Sequence, residues 1–163
     1  MKVTIVMGSA SDKAVGQQVV DALELFNIDY DWRIISAHRT PLVAQELVNE
    51  LELLENQVVV AIAGKAAHLA GVLAGSLSVP VIGVPVKSST LDGLDALLST
   101  VQMPKGVPVA TVAIDGGFNA GLLAVQILGV HFPELRQKLK DYKVTLAQET
   151  IDADQKHQQE IGR

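Results

Sequence analysis

Hydrophobic positions along this chain follow two alternating patterns. Short apolar runs rich in β-branched residues predict strands near residues 2–7, 30–35, 57–63, 80–84 and 108–114. Between these runs, apolar residues with a helical period predict helices near 12–26, 41–55, 66–76, 91–100 and 117–130. The alternation indicates a parallel sheet covered by helices on both faces. In such a sheet every strand-to-helix turn lies at the carboxyl edge, where ligands bind.

The pattern changes after Pro133, where a polar helix with sparse apolar positions is predicted. These positions are Leu135, Leu139, Tyr142, Leu146 and Ile151. So few apolar side chains would hold the helix only weakly to its own domain, so it either frays or packs on a neighbouring subunit. The length of 163 residues suits one domain. We therefore predict a single catalytic domain over 1–163, with a core over about 1–132 and a helical extension over 133–163.

One stretch imitates a membrane span. Residues 66–86 contain no Asp, Glu, Lys or Arg and are long enough to cross a bilayer. Two prolines, three glycines and a histidine interrupt the stretch, so we predict a buried helix followed by a buried strand, without a membrane partner. The first six residues lack the long apolar region of a signal peptide, and we expect a cytoplasmic protein.

Composition narrows the possible functions. The formal net charge of -5 argues against a general nucleic-acid binder, which needs a basic face. The absence of cysteine excludes a disulfide, a thiolate zinc site and a cysteine nucleophile, and it fits a reducing compartment. Aromatic residues make up only 4% of the chain, so the core must be built from Ala, Val, Leu and Ile.

The first predicted turn reads MGSASDKAVG. Gly8 allows a sharp bend, and Ser9, Ser11 and the free amides of the next helix face outward, an arrangement that attracts phosphate. The pattern is neither a P-loop nor a Gly-x-Gly-x-x-Gly fingerprint, so neither a nucleoside triphosphate nor NAD is indicated. Asp12 has two interpretations: a helix cap, or a ligand that accepts hydrogen bonds from sugar hydroxyls.

The second turn, RIISAHRTPLVAQ, carries a histidine and an arginine that folding does not require. Thr40 can cap a helix and Pro41 suits its first position. Arg39 can hold a phosphate or carboxylate with two parallel hydrogen bonds. His38 can move a proton near neutral pH, because the unperturbed pKa of imidazole is about 6.5. A solvated arginine and a turn-filling histidine are the alternative, and the position at the ligand edge favours the functional interpretation.

The third turn, AIAGKAAHLAG, follows the most apolar strand. Gly64 opens it, Ala66 and Ala67 let a ligand approach the backbone, and His68 lies just inside the predicted helix. A lone histidine among alanines is more often a satisfied core residue than a substrate ligand. The fourth turn, PVIGVPVKSSTLDG, is long enough to act as a wall or lid and contains two weaker candidates, Lys87 and Ser88.

Taken in order, these motifs resemble the PurE family, N5-carboxyaminoimidazole ribonucleotide mutase of purine biosynthesis. The motifs are MGSASD, SAHRTP, AAHL and PVIGVP, followed by LLSTVQMPKGVPVATVAI, and the resemblance covers roughly residues 3–146. It implies a three-layer α/β/α sandwich with a flavodoxin-like parallel sheet and a C-terminal helical extension. It also implies a homo-octamer with active sites at subunit junctions.

The family's reaction moves a carboxyl group from the exocyclic nitrogen of an aminoimidazole ribonucleotide to ring carbon C4, without ATP, metal or organic cofactor. We assign His38 as the acid and base of this reaction. The resemblance implies that Ser9, Asp12 and Arg39 bind the ribonucleotide, with Arg39 and the first helix start at the phosphate and Asp12 at the ribose. The wider predicted site comprises Ser11, Ser36, Ala37, Gly64, Ala66, Ala67 and His68.

A sister branch of the family uses free carbon dioxide to make the same product. It typically has Lys-Gly-Pro where this chain has residues 39–41 as Arg-Thr-Pro, so the mutase is favoured. Three features depart from the family pattern. Lys65 stands where the family usually has Gly, Ala70 stands where it usually has Pro, and the segment 114–119 is about two residues shorter than usual.

Two alternatives from other classes remain at this point. One is a non-enzymatic module that senses a nucleotide, and the other is a flavodoxin-like protein that binds a flavin phosphate at the first turn. The sensor would bind its nucleotide without consuming it, and the flavoprotein would be yellow. Neither alternative accounts for His38.

Overall fold

The computed structural model describes residues 1–55, 57–89 and 91–162. Within these ranges the strands are β1 (Lys2–Met7), β2 (Asp29–Ile34), β3 (Gln57–Gly64), β4 (Val81–Val86) and β5 (Ala110–Thr111). The helices are α1 (Lys13–Leu25), α2 (Pro41–Leu51), α3 (Leu69–Ala74), α4 (Leu94–Val101), α5 (Gly117–His131) and α6 (Pro133–Glu160). A short 3-10 helix at Ala10–Asp12 leads into α1.

The strands form one parallel sheet in the order β2-β1-β3-β4-β5. This order is that of the flavodoxin-like doubly wound sheet, which confirms the fold class predicted from the sequence. The central strands β1 and β3 are buried along almost their whole length. Strands covered on both faces must be apolar at every position, which is why they read as continuous runs instead of alternating ones.

Each face of the sheet has its own hydrophobic core. On one face α1 and α5 pack against the sheet, with Leu23 and Val125 fully buried among the strand side chains. On the other face α2 and α3 contribute Leu47 and Leu73. The two cores give the three layers of the sandwich and hold the start of each helix close to the carboxyl edge of the sheet.

Helices α1 and α5 approach closely because α5 has glycines where they meet. A Cβ atom added to Gly121 would lie 2.6 Å from the Cβ of Ala22, and one added to Gly117 would overlap the carbonyl oxygen of Val15. Since α1 begins directly after the first turn, this contact fixes the position of that turn.

Several predicted boundaries differ from the structure. The strand expected over 108–114 is reduced to the two residues of β5. Pro108 cannot donate to a sheet ladder, and beyond β5 single bonds from Val112 and Asp115 to β4 carbonyls replace the regular ladder. The helix expected over 66–76 is only α3, because the residues before it form tight turns. The helix expected over 41–55 ends at Leu51.

Helix α6 continues to Glu160 and is anchored near its beginning. Leu135 and Leu139 are buried, and the ring of Tyr142 meets that of Phe26 edge to face at 5.7 Å. Further along, apolar side chains including that of Ile151 are exposed. The sparse apolar pattern therefore attaches only the first part of the helix to its own chain.

The uncharged stretch 66–86 contains α3 and β4, whose buried residues face the core as predicted. Over the residues described, we find no helix with the length and apolar character needed to cross a membrane.

Candidate active site

Four turns at the carboxyl edge surround a cavity of about 760 Å³. They follow β2, β1, β3 and β4, which are neighbours in the sheet. The lining residues are Gly8, Ser9, Ser11 and Asp12, then 36–39, 63–66 and Leu69, and finally 86–89. His38 lines this cavity together with eight of the predicted binding residues, all of which belong to the first three turns.

The first turn places two serines and a buried carboxylate beside one another. The hydroxyl of Ser11 lies 2.9 Å from the Ser9 oxygen and 3.0 Å from an Asp12 carboxylate oxygen. Asp12 is only 6% exposed, and its side chain makes no capping hydrogen bond to α1. Burial raises the pKa of Asp12, while hydrogen bonds from Ser11 and Ser9 act in the opposite direction. The carboxylate therefore faces the cavity without a capping role.

The second turn is closed by its own side chains. The Ser36 amide donates to the Thr40 hydroxyl oxygen at 3.0 Å, and the Thr40 amide donates to the Ser36 carbonyl at 2.8 Å. Thr40 makes no capping bond to α2, so the expected cap is instead a turn closure, whereas Pro41 does begin the helix. Arg39 donates to the Gly8 carbonyl at 3.2 Å, which draws its guanidinium over the end of β1.

The third turn brings a second imidazole to His38. Nδ1 of His68 lies 3.0 Å from Nε2 of His38, and the two rings meet edge to face with centroids 5.1 Å apart. One ring must donate and the other accept, because two N–H groups or two lone pairs would repel. His68 lies just before α3, is exposed, and is not a core residue. It does not line the cavity directly but touches a residue that does.

Ala67 differs from its neighbours in this turn. It is 1% exposed and lies away from the cavity, whereas Gly64 and Ala66 line it. Two hydrogen bonds of 2.8 Å fold these residues into consecutive tight turns. One runs from the Ala67 amide to the Lys65 carbonyl, and the other runs from the His68 amide to the Ala66 carbonyl. The bends direct Ala67 into the protein and leave His68 on the outside.

The fourth turn contributes two residues predicted as weaker candidates, Lys87 and Ser88, and a third, Ser89, that was not predicted. Lys87 and Ser89 line the cavity, and Lys87 forms an ion pair with Asp92 at 3.2 Å. Its backbone amide donates to the Asp115 carboxylate at 2.9 Å. Ser88 is buried and its hydroxyl lies 3.2 Å from the Asp95 carboxylate. The strand order explains why this turn joins the cavity, because β4 pairs directly with β3.

The cavity is locally basic although the chain is acidic. Arg39, Lys65 and Lys87 line it, and Asp12 is the acidic residue among its lining side chains. Such a cavity suits an anionic ligand. Within the three described ranges there is no group of three or more His, Asp or Glu side chains that could hold a metal ion.

Fold and site together define a flavodoxin-like α/β protein whose cavity lies where the strand order reverses, between β1 and β3, and suits an anionic ligand. The chain belongs to the AIR carboxylase family, whose model matches residues 2–149. This finding confirms the family resemblance drawn from the sequence motifs.

Individual relatives agree with the family. The chain is 51% identical to N5-carboxyaminoimidazole ribonucleotide mutase of Thermotoga maritima, over 97% of this chain and 92% of that protein. It is 54% identical to the protein of the same name from Pyrococcus abyssi, over 87% and 82%. The crystal structure of Treponema denticola PurE matches with a TM-score of 0.88 at 33% identity, covering 95% of this chain and 97% of that one.

Proposed function

We propose that this chain is an isomerase of de novo purine biosynthesis that converts N5-carboxyaminoimidazole ribonucleotide to 4-carboxy-5-aminoimidazole ribonucleotide. One observation carries the proposal: His38 lines the same cavity as Ser9, Asp12 and Arg39, in a chain 51% identical to a mutase of that name. The whole of residues 1–163 is the proposed catalytic domain.

Binding of the ribonucleotide follows from the charges in the cavity. Arg39 has five N–H donors, and the Gly8 carbonyl and the Ser36 hydroxyl take up only part of them. The remaining donors, with Ser9, Ser11 and the amides at the start of the first helix, hold the phosphate. Asp12 accepts hydrogen bonds from the ribose hydroxyls, because a carboxylate would repel the phosphate.

Carboxyl transfer needs one proton moved within the site. The N–C bond of the carbamate breaks, carbon dioxide is released, and the bond electrons return to the ring system. Ring carbon C4 then attacks the carbon dioxide and carries both a hydrogen and the new carboxylate. His38 removes the C4 proton and delivers a proton to the exocyclic nitrogen, so the reaction consumes no proton overall.

The neighbouring residues keep the carbon dioxide in place. Gly64 and Ala66 line the cavity with small side chains, so the gas is held against C4, and proximity supplies much of the rate. His68 accepts from or donates to His38 at 3.0 Å and thereby orients its ring.

We further propose that the protein acts as a homo-octamer, with active sites at subunit junctions, in the cytoplasm. Helix α6 exposes Val144, Leu146 and Ile151, and a neighbouring subunit would cover these side chains. The absence of cysteine fits a reducing compartment. Light scattering tests the assembly: the expected mass is about eight times that of the 17.3 kDa chain, and a monomer would contradict it.

The deciding experiment supplies the carbamate ribonucleotide without bicarbonate or ATP and follows formation of the C4-carboxylated isomer. Conversion by the wild-type protein, lost in His38→Asn, supports the proposal. A second arm supplies aminoimidazole ribonucleotide with bicarbonate. Turnover in the second arm alone would make the protein a carboxylase that uses free carbon dioxide, and turnover in neither arm would refute both activities.

A further inference from the structure

Lys65 adopts a backbone conformation that its residue type disfavours. Its φ is 56°, in the left-handed region, where a side chain with a Cβ is uncommon. It stands directly after β3 and begins the pair of tight turns that lead to His68. A glycine would make the same turn without strain. The turn therefore does not require a lysine here.

The ammonium of Lys65 is placed where it can serve a ligand. Lys65 is exposed and lines the cavity with its neighbours Gly64 and Ala66. Among the described residues no carboxylate lies within ion-pair distance of it, whereas Lys87, in the neighbouring turn after β4, is paired with Asp92 at 3.2 Å. Of these two lysines, Lys65 is therefore the one whose ammonium makes no ion pair with a described residue.

Two positions in the cavity can hold negative charge. Arg39 lies over the end of β1 and contacts the Gly8 carbonyl, which places it with the proposed phosphate site. Lys65 belongs to the turn after β3, three residues from the imidazole that touches His38. Arg39 follows His38 directly but bonds to the Gly8 carbonyl of the first turn, so Lys65 is the cation that shares the third turn with His68.

We propose that Lys65 binds the carboxylate that migrates in the reaction and so makes the site prefer carboxylated over uncarboxylated aminoimidazole ribonucleotides. The inference rests on the proposed function and adds a residue to it. A lysine suits this role because its three donors rotate on a flexible stem and can follow a carboxylate that moves from nitrogen to C4, whereas a planar guanidinium favours one fixed geometry.

The test measures binding of two nucleotides by calorimetry. One is 4-carboxy-5-aminoimidazole ribonucleotide, and the other is aminoimidazole ribonucleotide, which has the phosphate and lacks the carboxylate. Lys65→Gln and Lys65→Gly are each expected to raise the Kd of the carboxylated nucleotide about tenfold, as expected for one lost charge-assisted hydrogen bond. The Kd of the uncarboxylated nucleotide is expected to stay unchanged.

Three further measurements separate recognition from structure. Lys65→Arg is expected to recover part of the lost affinity, because the charge returns. The Tm of Lys65→Gly is expected to be unchanged or higher by about 2–4 °C, since the strained backbone is relieved. Lys105→Gln removes the same charge from an exposed position outside the cavity, and is expected to leave both Kd values unchanged.

Each other outcome overturns the inference. An equal loss of affinity for both nucleotides would mean that Lys65 contacts the phosphate or acts only through the positive potential of the cavity. No loss of affinity would mean that Lys65 is a solvated side chain without a binding role. A lower Tm for Lys65→Gly would make the residue structural. If the wild-type protein converts the carbamate ribonucleotide while Lys65→Gln binds normally, only this inference fails. If the wild type binds neither nucleotide, the proposed function fails as well.

Discussion

Replacing His38 by Asn tests the chemistry at the point where the proposal is most specific. The amide of asparagine cannot act as a general acid or base near neutral pH. The shorter asparagine side chain also leaves the Nδ1 atom of His68 without the partner that it has at 3.0 Å. His38 is exposed at the rim of the cavity. The free energy of unfolding is therefore expected to change by no more than about 0.5 kcal/mol.

The size of the effect follows from the role. A positioned acid-base group typically contributes about 10²–10⁴-fold in rate. Each tenfold corresponds to about 1.36 kcal/mol, so the barrier to turnover is expected to rise by about 2.7–5.4 kcal/mol. Substrate binding is expected to persist, because Asp12 lies on another turn and Arg39, although it follows His38 directly, keeps its charge and its bond to the Gly8 carbonyl.

The assay is single-turnover conversion of the carbamate ribonucleotide by wild type, His38→Asn, His68→Asn and the double variant. If His68 acts by orienting His38, its single substitution costs less, and the double variant is no slower than His38→Asn. Turnover of His38→Asn within tenfold of wild type would refute the proton-transfer role. A double variant much slower than either single variant would show that His68 acts independently.

Three other predictions concern binding, pH and packing. Arg39→Ala is expected to raise the Kd of the ribonucleotide at least tenfold by removing a charge-assisted pair, and an unchanged Kd would place the phosphate elsewhere. Hydrogen bonds from the Ser78 amide and hydroxyl lower the pKa of Glu52 below its ordinary value of 4.5, so its stabilisation is present above that pH and is lost as the pH falls through the lowered pKa. The free energy of unfolding of Glu52→Gln, measured in urea, should therefore be lower than that of wild type at pH 7 and equal to it at the acid end. An equal difference at both pH values would contradict the linkage. Gly117→Ala is expected to lower the free energy of unfolding by about 1–3 kcal/mol, because its Cβ would overlap the Val15 carbonyl oxygen; an unchanged urea midpoint would show that the helices can separate freely.

Much of the fold could be predicted because its signals are local. Continuous apolar runs at β1 and β3 indicate strands buried on both faces, and the helical period between them indicates the covering helices. Boundaries were less accurate where a local pattern competes with contacts made elsewhere. The apolar segment around β5 reads as a full strand, yet Pro108 and the single bonds from Val112 to β4 leave only two residues in the ladder.

For this protein, the amino-acid order by itself determined that the first three turns meet at one edge, since all strands are parallel and every turn follows a strand. It thereby placed Asp12, His38 and Arg39 in a common region. Only the tertiary structure decided that His38 touches His68, that Ala67 is buried, and that two lysines enter the cavity. Those outcomes depend on strand order and on turn conformations set by distant partners, and no short window of sequence contains either.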